Sequence, residues 1–226
     1  MIAIIGAMSE EVLEIRNLMT KVVSKTISKI IFYEGLIQDK KVVLVQSGIG
    51  KTLSALSTTV LVLNYEVDFV INVGSAGGIT SDLKPLDVIV SERVAQADFD
   101  LTAFGYKKDF SEQRLAFYAD NNLVHKMKSL NLPGVIYGDI VSSDTFISKQ
   151  SQVNTIIENF PTALCADMEA GSIAMTLAHF NIPFIVIRSI SDVVGSQKDN
   201  ALEFQEYLAL ASKNSAKITK ELIINS

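Results

Sequence analysis

The sequence has few of the side chains that bind metals or form covalent cross-links. It contains one cysteine, two histidines and no tryptophan among 226 residues. The single cysteine, Cys165, excludes an intramolecular disulfide and a cysteine-rich metal site, and its apolar surroundings indicate a buried core residue. His125 and His179 both fall in predicted helices and have no metal-ligand spacing. We therefore expect no metal site and no histidine-based acid–base pair.

Positive charge and long apolar runs are also scarce. The net charge is −5 and the isoelectric point is near 5.1, which disfavours nucleic acid or an anionic membrane as a partner, because both require a basic face. No apolar run approaches the ~18 residues of a membrane span, and the first residues, MIAIIGAMSEEV, lack the basic segment of a signal peptide. We expect a soluble cytoplasmic protein that binds a small molecule or another protein.

Sequence features that separate domains are missing as well. The four prolines are scattered, and we find no low-complexity tract, no block of like charges and no internal repeat. At 226 residues and 48% hydrophobic content, the chain can bury one large core. These features predict a single domain over residues 1–226.

What the sequence does have is an alternation of short apolar runs and longer amphipathic stretches. The runs predict strands at residues 2–5, 30–37, 41–46, 69–73, 87–94, 134–141, 163–166 and 184–190. The amphipathic stretches predict helices at residues 9–21, 51–65, 121–130, 149–159, 168–180 and 201–224. The runs VDFVINVGS and NIPFIVIRSI are nearly continuous apolar segments, typical of strands covered by helices on both faces. The prediction is an α/β fold, a three-layer sandwich with a central mixed β-sheet flanked by helices, in which 30–37 and 41–46 form a hairpin.

The stretch VQSGIGKT, residues 45–52, resembles a phosphate-binding loop but is incomplete. A P-loop reads G-x-x-x-x-G-K-[ST], which requires glycine at position 45, where this sequence has Val45. That glycine lets the loop wrap its N–H groups around phosphate, whereas a β-branched residue is typical of a strand end. The stretch predicts a strand that turns through two glycines into a helix, and the use of the loop stays open.

Polar or glycine-rich residues follow four apolar runs, in IIGAMSEE, INVGSAGG, CADMEAGS and VIRSISD. Ligands of α/β proteins bind where strands end, so the carboxylates Glu11, Glu169 and Asp192 are candidates for proton transfer. Glu11 could equally complement the positive end of a helix, and Asp192 could cap a turn. Glu169 and Arg188 are harder to explain in this way, because a charge beside a buried strand needs a partner. Together the four charges favour a catalytic pocket.

Seven short motifs spread over the whole chain add to this pattern. They are IIGAMSEEV, SGIGK, INVGSAGG, DLTAFGY, SSDTFI, DMEAGSIA and RSISDV. In this order and spacing they resemble the motifs of the 5′-methylthioadenosine/S-adenosylhomocysteine nucleosidases, within the nucleoside phosphorylase superfamily. The resemblance implies a nucleoside phosphorylase-like fold, a homodimer, and no metal or organic cofactor. It also implies hydrolysis of the N-glycosidic bond of 5′-methylthioadenosine and S-adenosylhomocysteine, with release of adenine and the thioribose sugar.

The resemblance also implies roles for the unusual polar residues. Asp192, held by Ser191, would be the general acid at N7 of adenine, so that the base leaves as a neutral molecule. Glu11, helped by Ser75 and Arg188, would position and deprotonate the attacking water. Attack from the face opposite the base predicts inversion at the anomeric carbon.

The same resemblance implies the contacts of the sugar and the base. Glu169 would bond the ribose hydroxyls, with Met168 packed beneath the sugar. Phe146 would stack on the adenine, and the backbone of Ile147 would read its Watson–Crick edge. Independently of the resemblance, Gly77 in the glycine-rich segment INVGSAGG would let the backbone approach a ligand.

An apolar pocket for the 5′ substituent would form beside the SGIGK loop. Ile49, Met8 and Phe204 would line it, and Leu101 and Phe104 of the partner subunit would close it. The homodimer is then required for function. The spacing of the motifs does not separate 5′ groups that differ by a few atoms, so the preferred substituent stays open.

Three other functions are compatible with parts of the pattern. A phosphate-dependent purine nucleoside or methylthioadenosine phosphorylase belongs to the same superfamily, but it needs cations beside the nucleophile, where Glu11 would repel phosphate. A futalosine-type nucleosidase would share the ribosyl chemistry. A non-catalytic nucleoside-binding protein has no need of a carboxylate that activates water.

Overall fold

The computed structural model describes residues 1–195 and 199–226. The strands are β1 (Ile2–Gly6), β2 (Thr20–Ile27), β3 (Ile30–Ile37), β4 (Lys40–Gln46), β5 (Phe69–Gly78), β6 (Val88–Gln96), β7 (Ala116–Tyr118), β8 (Val135–Ser142), β9 (Ala163–Asp167) and β10 (Phe184–Val193). The helices are α1 (Ser9–Leu18), α2 (Lys51–Asn64), α3 (Asn121–Ser129), α4 (Gln150–Asn159), α5 (Ala170–His179) and α6 (Asn200–Ile224), with a 3-10 helix at Thr102–Phe104. Within the described residues, no helix is long and apolar enough to cross a membrane.

The ten strands join one mixed sheet. Its path runs β10, β6, β8, β9, β5, β1, β4, β3 and β2, with β7 paired to β6. β1 lies between β4 and β5 and is parallel to both, whereas β4, β3 and β2 follow one another antiparallel. The predicted mixed sheet and the predicted hairpin of residues 30–37 and 41–46 are therefore confirmed.

One half of the sheet closes into a ring of five strands. β5 pairs with β10, β10 with β6, β6 with β8 and β8 with β9, and β9 returns to the end of β5. The return contact joins Gly77 to Ala166 and Gly78 to Cys165. This closure brings together the ends of β5, β9 and β10, which are far apart in the sequence.

Two apolar layers lie on opposite faces of the sheet. In β1, Ile2 and Ile4 face one layer and Ala3 and Ile5 face the other, as the two-residue repeat of a strand requires. The first layer contains buried residues of α1, α3 and α6, and the second contains buried residues of α2 and α5. Helices cover both faces, which confirms the predicted three-layer arrangement.

The predicted helix over residues 9–21 is wrong at its end. α1 ends at Leu18, and β2 begins at Thr20 as a strand paired antiparallel with β3. The side chains of β2 are exposed except at Ile27, which is half-buried, so this strand has no buried face from which an apolar alternation could be read. β7 is also absent from the prediction, because three residues are too few to show a period.

Two strands that carry polar residues are longer than predicted. β5 and β10 both extend beyond the predicted ends at residues 73 and 190. The extension of β5 pairs with β10, where Gly74 lies opposite Arg188 and Gly77 lies opposite Asp192, which is in the extension of β10. Side chains that were expected to follow these strands therefore lie inside the sheet, where backbone pairing fixes their positions.

The cysteine is held in the core by burial, and the two histidines are hydrogen-bonded to their own helices. Cys165 is fully buried, and burial raises the pKa of its thiol, which suppresses the reactive thiolate. His125 in α3 and His179 in α5 are exposed, and each ring forms a hydrogen bond through Nδ1 with a backbone carbonyl of its own helix. Over residues 1–195 and 199–226, no group of three or more His, Cys, Asp or Glu side chains could hold a metal ion.

Ile4→Ala tests the core position of β1. Ile4 is fully buried, so the substitution removes apolar contacts and leaves a cavity, and we expect a loss of about 2–5 kcal/mol in the free energy of unfolding. Urea denaturation followed by circular dichroism measures this loss. Leu13→Ala in α1 is the control, because Leu13 is 51% exposed and its truncation should change stability by less than about 0.5 kcal/mol. Equal losses in the two variants would contradict the assigned core.

Candidate active site

A cavity opens at the ends of β1, β5, β9 and β10. It is lined by residues from seven segments of the chain, namely Ala7, Met8, Glu11, Ile49, Ser75, Ala76, Gly77, Thr145, Phe146, Ile147, Ala166, Asp167, Met168, Glu169, Ser191, Asp192 and Phe204. The fold therefore brings together most of the residues that the family resemblance implies. Of the others, Arg188 is fully buried beside the cavity, and Leu101 and Phe104 lie outside it.

Glu11 is fixed in the first turn of α1 by four hydrogen bonds. Its Oε2 accepts the backbone N–H groups of Ala7 and Met8, at 2.8 and 3.1 Å. Its Oε1 accepts the N–H and the hydroxyl of Ser75, at 2.9 and 3.1 Å. Glu11 is only 4% exposed, so α1 and β5 together hold one buried carboxylate at the cavity wall.

Gly74 leaves the space that Glu11 and Arg188 occupy. A Cβ atom at this position would lie 2.6 Å from Glu11 Oε1 and 3.1 Å from Arg188 Nη1. The first distance is too short for a carbon atom, so the close approach of the two side chains requires glycine. The carboxylate and the guanidinium therefore face the same region.

Arg188 is the buried cation of the site. Its Nε and Nη2 both donate to Asp167 Oδ2, at 2.8 and 2.6 Å, and Nη2 also donates to Asn72 Oδ1 at 2.7 Å. Both members of the ion pair have side chains that are 2% exposed, so the pair has almost no contact with water. Nη1 is buried and has no hydrogen-bond partner among the described residues. Nη1 is therefore a donor atom that remains available on the side that faces Glu11.

Asp192 is fully buried near the end of β10, and its two oxygens accept different donors. Ser191 Oγ donates to Oδ1 at 2.7 Å, and Asn200 Nδ2, at the start of α6, donates to Oδ2 at 3.0 Å. Burial raises the pKa of Asp192, the two hydrogen bonds oppose this shift, and the negative charge of Glu203 adds to it. The net shift is upward, which favours a carboxyl group that keeps its proton.

Glu169 lies at the N-terminus of α5 and is 7% exposed. Gly50, at the start of α2, donates its N–H to Glu169 Oε1 at 2.9 Å. Burial raises the pKa of Glu169 to about 7, and the charges of Asp167 and Glu11 act in the same direction. Arg188 and the Gly50 N–H oppose the shift. Glu169 therefore gains or loses its proton near neutral pH.

Another part of the cavity lining is apolar. The rings of Phe146 and Phe204 meet edge to face, with their centroids 5.7 Å apart. Phe146 is 38% exposed and Ile49 is 52% exposed, so this part of the lining reaches solvent. Aromatic side chains next to buried carboxylates suit a ligand that combines a flat base with a polar sugar.

The VQSGIGKT stretch forms a strand, a loop and a helix. Val45 lies inside β4, and Gly50 has a φ of 94°, a conformation that favours glycine. The N–H groups of Gly50 and Lys51, at the helix terminus where a P-loop binds phosphate, donate to Glu169 Oε1 and Asp144 Oδ1. Carboxylates of the chain itself occupy this terminus, which agrees with the prediction against a P-loop.

Four residues that shape the site were not among the predicted site residues: Asn72, Gly74, Asp167 and Asn200. The reasoning applied to Arg188 could have found Asn72, because it is also a polar residue inside an apolar strand. Asp167 precedes the predicted Met168 and Glu169 and needed only the same argument. Asn200 meets the site through the tertiary fold, and no local sequence signal indicates it.

Comparison with known proteins adds a family to this geometry. The family model described as the phosphorylase superfamily matches residues 1–224. A 5′-methylthioadenosine/S-adenosylhomocysteine nucleosidase of Staphylococcus haemolyticus is 39% identical over 228 residues, covering 99% of this chain and 99% of that protein. The match therefore extends over the whole sequence and not only over the site motifs.

Two solved structures are similar over nearly the whole chain. One is a 5′-methylthioadenosine/S-adenosylhomocysteine nucleosidase from Colwellia psychrerythraea in complex with adenine, 36% identical, with a TM-score of 0.92 and coverage of 99% of this chain and 94% of that chain. The other is the futalosine hydrolase of Helicobacter pylori, 28% identical, with a TM-score of 0.91 and coverage of 100% and 97%. From the full-length family match and the identity to the staphylococcal protein, this chain belongs to the phosphorylase superfamily and, within it, to the 5′-methylthioadenosine/S-adenosylhomocysteine nucleosidase family.

Proposed function

We propose that the chain, as one domain over residues 1–226, hydrolyses the N-glycosidic bond of 5′-methylthioadenosine and S-adenosylhomocysteine. The products are adenine and the thioribose sugar, and 5′-deoxyadenosine is a further candidate substrate. The observation that carries the proposal is the convergence of Glu11, Glu169 and Asp192 on one cavity, each in a different environment. Membership of the nucleosidase family supports it.

Glu11 activates the attacking water in this proposal. Four donors hold its carboxylate, and one of them, the Ser75 hydroxyl, can rotate away, which frees a lone pair of Oε1 for the water proton. The available Nη1 of Arg188 lies on the same side and offers a donor. The water oxygen bonds to the anomeric carbon from the face opposite the base while its proton passes to Glu11, so the product sugar has the inverted configuration.

Asp192 supplies the proton that lets adenine leave. Burial raises its pKa, so the carboxyl group is protonated over a wider pH range than an exposed aspartate. The proton passes to N7 as the bond between the anomeric carbon and N9 breaks, and the electron pair of that bond enters the purine. Adenine departs as a neutral molecule, with Ser191 and Asn200 holding the carboxyl group in place.

Glu169 and the aromatic lining orient the nucleoside. Glu169 accepts hydrogen bonds from the ribose hydroxyls, and its negative charge stabilises the sugar as it becomes oxocarbenium-like, with Met168 beneath it. Phe146 stacks on adenine, the backbone of Ile147 reads the edge of the base, and Gly77 lets the backbone come close.

The apolar part of the cavity holds the 5′ substituent. Met8, Ile49 and Phe204 line it, and their side chains suit a thioether better than a charged group. S-adenosylhomocysteine and 5′-methylthioadenosine share this thioether. They differ in what extends beyond it, toward the exposed side of Ile49.

The negative charge of Glu11, beside the proposed position of the anomeric carbon, makes water the favoured nucleophile in this proposal. The Nε and Nη2 atoms of Arg188 are paired with Asp167, and the adjacent Glu11 is a second carboxylate close to the space that phosphate would occupy. A phosphate dianion there would meet repulsion from Glu11 at short range in a buried site. The arrangement favours hydrolysis over phosphorolysis.

We also propose a homodimer in which Leu101 and Phe104 of the partner subunit close the 5′ end of the pocket. Phe104 is 76% exposed in this chain, which is unusual for a large aromatic side chain. The outer face of α2 is apolar as well, with Leu53, Leu56 and Leu63 each about half exposed or more. Large exposed apolar side chains of this kind are typical of a protein interface.

A cytoplasmic location, without a nucleic-acid or membrane partner, completes the proposal. The free and buried thiol of Cys165 is compatible with a reducing compartment. The net charge of −5 disfavours binding to polyanions.

Adenine release from defined nucleosides tests the proposed function. We expect free adenine from 5′-methylthioadenosine and from S-adenosylhomocysteine, measured by liquid chromatography in phosphate-free buffer. An aminofutalosine substrate is run in parallel, because the Helicobacter pylori futalosine hydrolase has a similar structure. Adenine from neither thioether nucleoside would overturn the proposal, and turnover of the futalosine substrate alone would assign the chain to that reaction instead.

Asp192→Asn should lower turnover by roughly 10²–10⁴-fold, because it removes the proton donor and changes little volume. The rate of adenine release from 5′-methylthioadenosine measures this loss. Asp139→Asn is the matched control, since Asp139 is a buried carboxylate that pairs with Arg93 away from the cavity. The control should lose stability and keep its turnover per folded molecule. Near-normal turnover in Asp192→Asn would show that another group protonates the base.

Phe104→Ala should weaken the binding of thioether nucleosides more than the binding of adenosine. The reason is that the ring is expected to cover the 5′ substituent of a nucleoside bound in the partner subunit. The ratio of kcat/KM for 5′-methylthioadenosine to that for adenosine measures the effect. Tyr118→Ala on β7 is the control, since it removes another exposed aromatic ring. An equal loss for both nucleosides would rule out this contact with the 5′ group.

A further inference from the structure

Lys51 joins three segments of the chain around the cavity. Its Nζ donates to Asp98 Oδ1 at 2.5 Å, and its backbone N–H donates to Asp144 Oδ1 at 2.8 Å. Asp144 in turn donates its backbone N–H to Asp98 Oδ2 at 2.9 Å. These bonds form a closed circuit, the Lys51–Asp98–Asp144 cluster, which ties the start of α2 to the loops that follow β6 and β8.

The cluster is partly shielded from water. The side chain of Lys51 is 17% exposed and that of Asp98 is 33% exposed. Burial raises the pKa of Asp98, but hydrogen bonds from Lys51 and from the Asp144 N–H outweigh it, and the net pKa is lowered. Asp98 is therefore a carboxylate at neutral pH, and each of its two oxygens accepts one of the two donors.

Gly50 connects the cluster to the cavity. It precedes Lys51 in the chain, and its N–H donates to Glu169 Oε1 at 2.9 Å. Its carbonyl accepts the N–H of Ser54, so the first turn of α2 also fixes the residue. Because Gly50 is bonded directly to Lys51, a shift of the Lys51 backbone would also move Gly50 and take its N–H away from Glu169.

Glu169 is sensitive to such a shift. It is 7% exposed, and the Gly50 N–H is one of the two contributions that lower its pKa against the effect of burial. A buried carboxylate that loses a donor is stabilised less as an anion and is less fixed in position.

The side chains of Lys51, Asp98 and Asp144 do not line the cavity within the described residues, so they can affect a ligand only through neighbouring residues. Gly50 leads to Glu169, on the ribose side of the proposed site. Thr145, which follows Asp144, leads to Phe146 and Ile147, on the base side. An effect through Gly50 should therefore appear with a nucleoside and not with adenine alone.

We propose that the Lys51–Asp98–Asp144 cluster positions Glu169 and thereby sets how tightly the ribose hydroxyls are held. The inference rests on the proposed function, because it takes Glu169 as the group that binds the ribose. Lys51, Asp98 and Asp144 are positioning residues that act through Gly50. This gives the lysine of the VQSGIGKT stretch a role in holding a carboxylate of the chain.

The contrast between base and sugar makes the role measurable. In the proposed binding mode, adenine alone does not reach Glu169, whereas the ribose of a nucleoside does. Asp98→Asn keeps the size of the side chain but presents an NH₂ group to one of its two donors, which breaks the circuit. It should weaken the binding of a non-hydrolysed C-nucleoside analogue of adenosine about tenfold, as expected for the loss of a hydrogen bond to a charged group. The affinity for adenine should change by less than about twofold. Isothermal titration calorimetry gives both dissociation constants.

A second set of variants separates positioning from general damage. Lys51→Met should weaken nucleoside binding as Asp98→Asn does. Lys51→Arg should retain much of the wild-type affinity for the nucleoside, because it keeps a cation near Asp98. Lys128→Met is the matched control, since Lys128 pairs with Glu92 on the surface at 2.6 Å and away from the cavity. In a double-mutant cycle, Asp98→Asn should have almost no further effect on nucleoside affinity once Glu169→Ala has removed the acceptor of the Gly50 N–H.

The Gly50 amide gives a readout that does not depend on turnover. In wild-type protein its resonance in a ¹H–¹⁵N spectrum should follow the protonation of Glu169 with a midpoint near pH 7, the pKa of that group, and Asp98→Asn should remove most of this change. Equal weakening of adenine and nucleoside, an additive double mutant, or a Gly50 resonance unchanged by Asp98→Asn would each overturn the inference. If wild-type protein releases no adenine from any nucleoside, the proposed function fails, and the resonance still decides whether Asp98 sets the contact between Gly50 and Glu169.

Discussion

The buried ion pair between Arg188 and Asp167 is the contact on which the rest of the site depends. Its hydrogen bonds join β10 to β9 and, through Asn72, to β5, so it connects three strands of the closed ring. Burying a charge is costly unless the charge is paired and hydrogen-bonded, and removing either partner would leave the other unpaired in the core. The arginine also supplies the positive charge among Glu11, Glu169 and Asp167, which allows several carboxylates to share one cavity.

Four carboxylates line the cavity, and three of them, Glu11, Asp192 and Glu169, differ in environment although their chemistry is the same. Glu11 is surrounded by four donors and is held as an acceptor. Asp192 is withdrawn from water, which raises its pKa and favours the protonated acid. Glu169 has a pKa of about 7 and is held by Gly50. Burial and hydrogen bonding thus give the proposed base, the proposed acid and the proposed sugar-binding group three different environments.

The sequence predicted the α/β class, most strands and the candidate carboxylates, because apolar runs and charges next to them are local signals. It did not predict the exposed edge strand β2 or the extensions of β5 and β10, since these depend on backbone pairing with distant strands. Asn200 and the link from Lys51 to Asp98 also arise only when the fold joins separate segments. The motif VQSGIGKT could be rejected as a P-loop from Val45 alone, whereas its actual contacts required the structure.

In the proposed mechanism, a carboxylate-rich pocket built around one paired arginine directs water, and not phosphate, to the anomeric carbon. Turnover of 5′-methylthioadenosine in H₂¹⁸O with inorganic phosphate present tests this most directly, with mass spectrometry of the sugar before its anomeric oxygen exchanges with solvent. We expect methylthioribose that carries one ¹⁸O atom and no sugar phosphate. An unlabelled sugar 1-phosphate would contradict it and would assign the space beside Glu11 and Arg188 to phosphate.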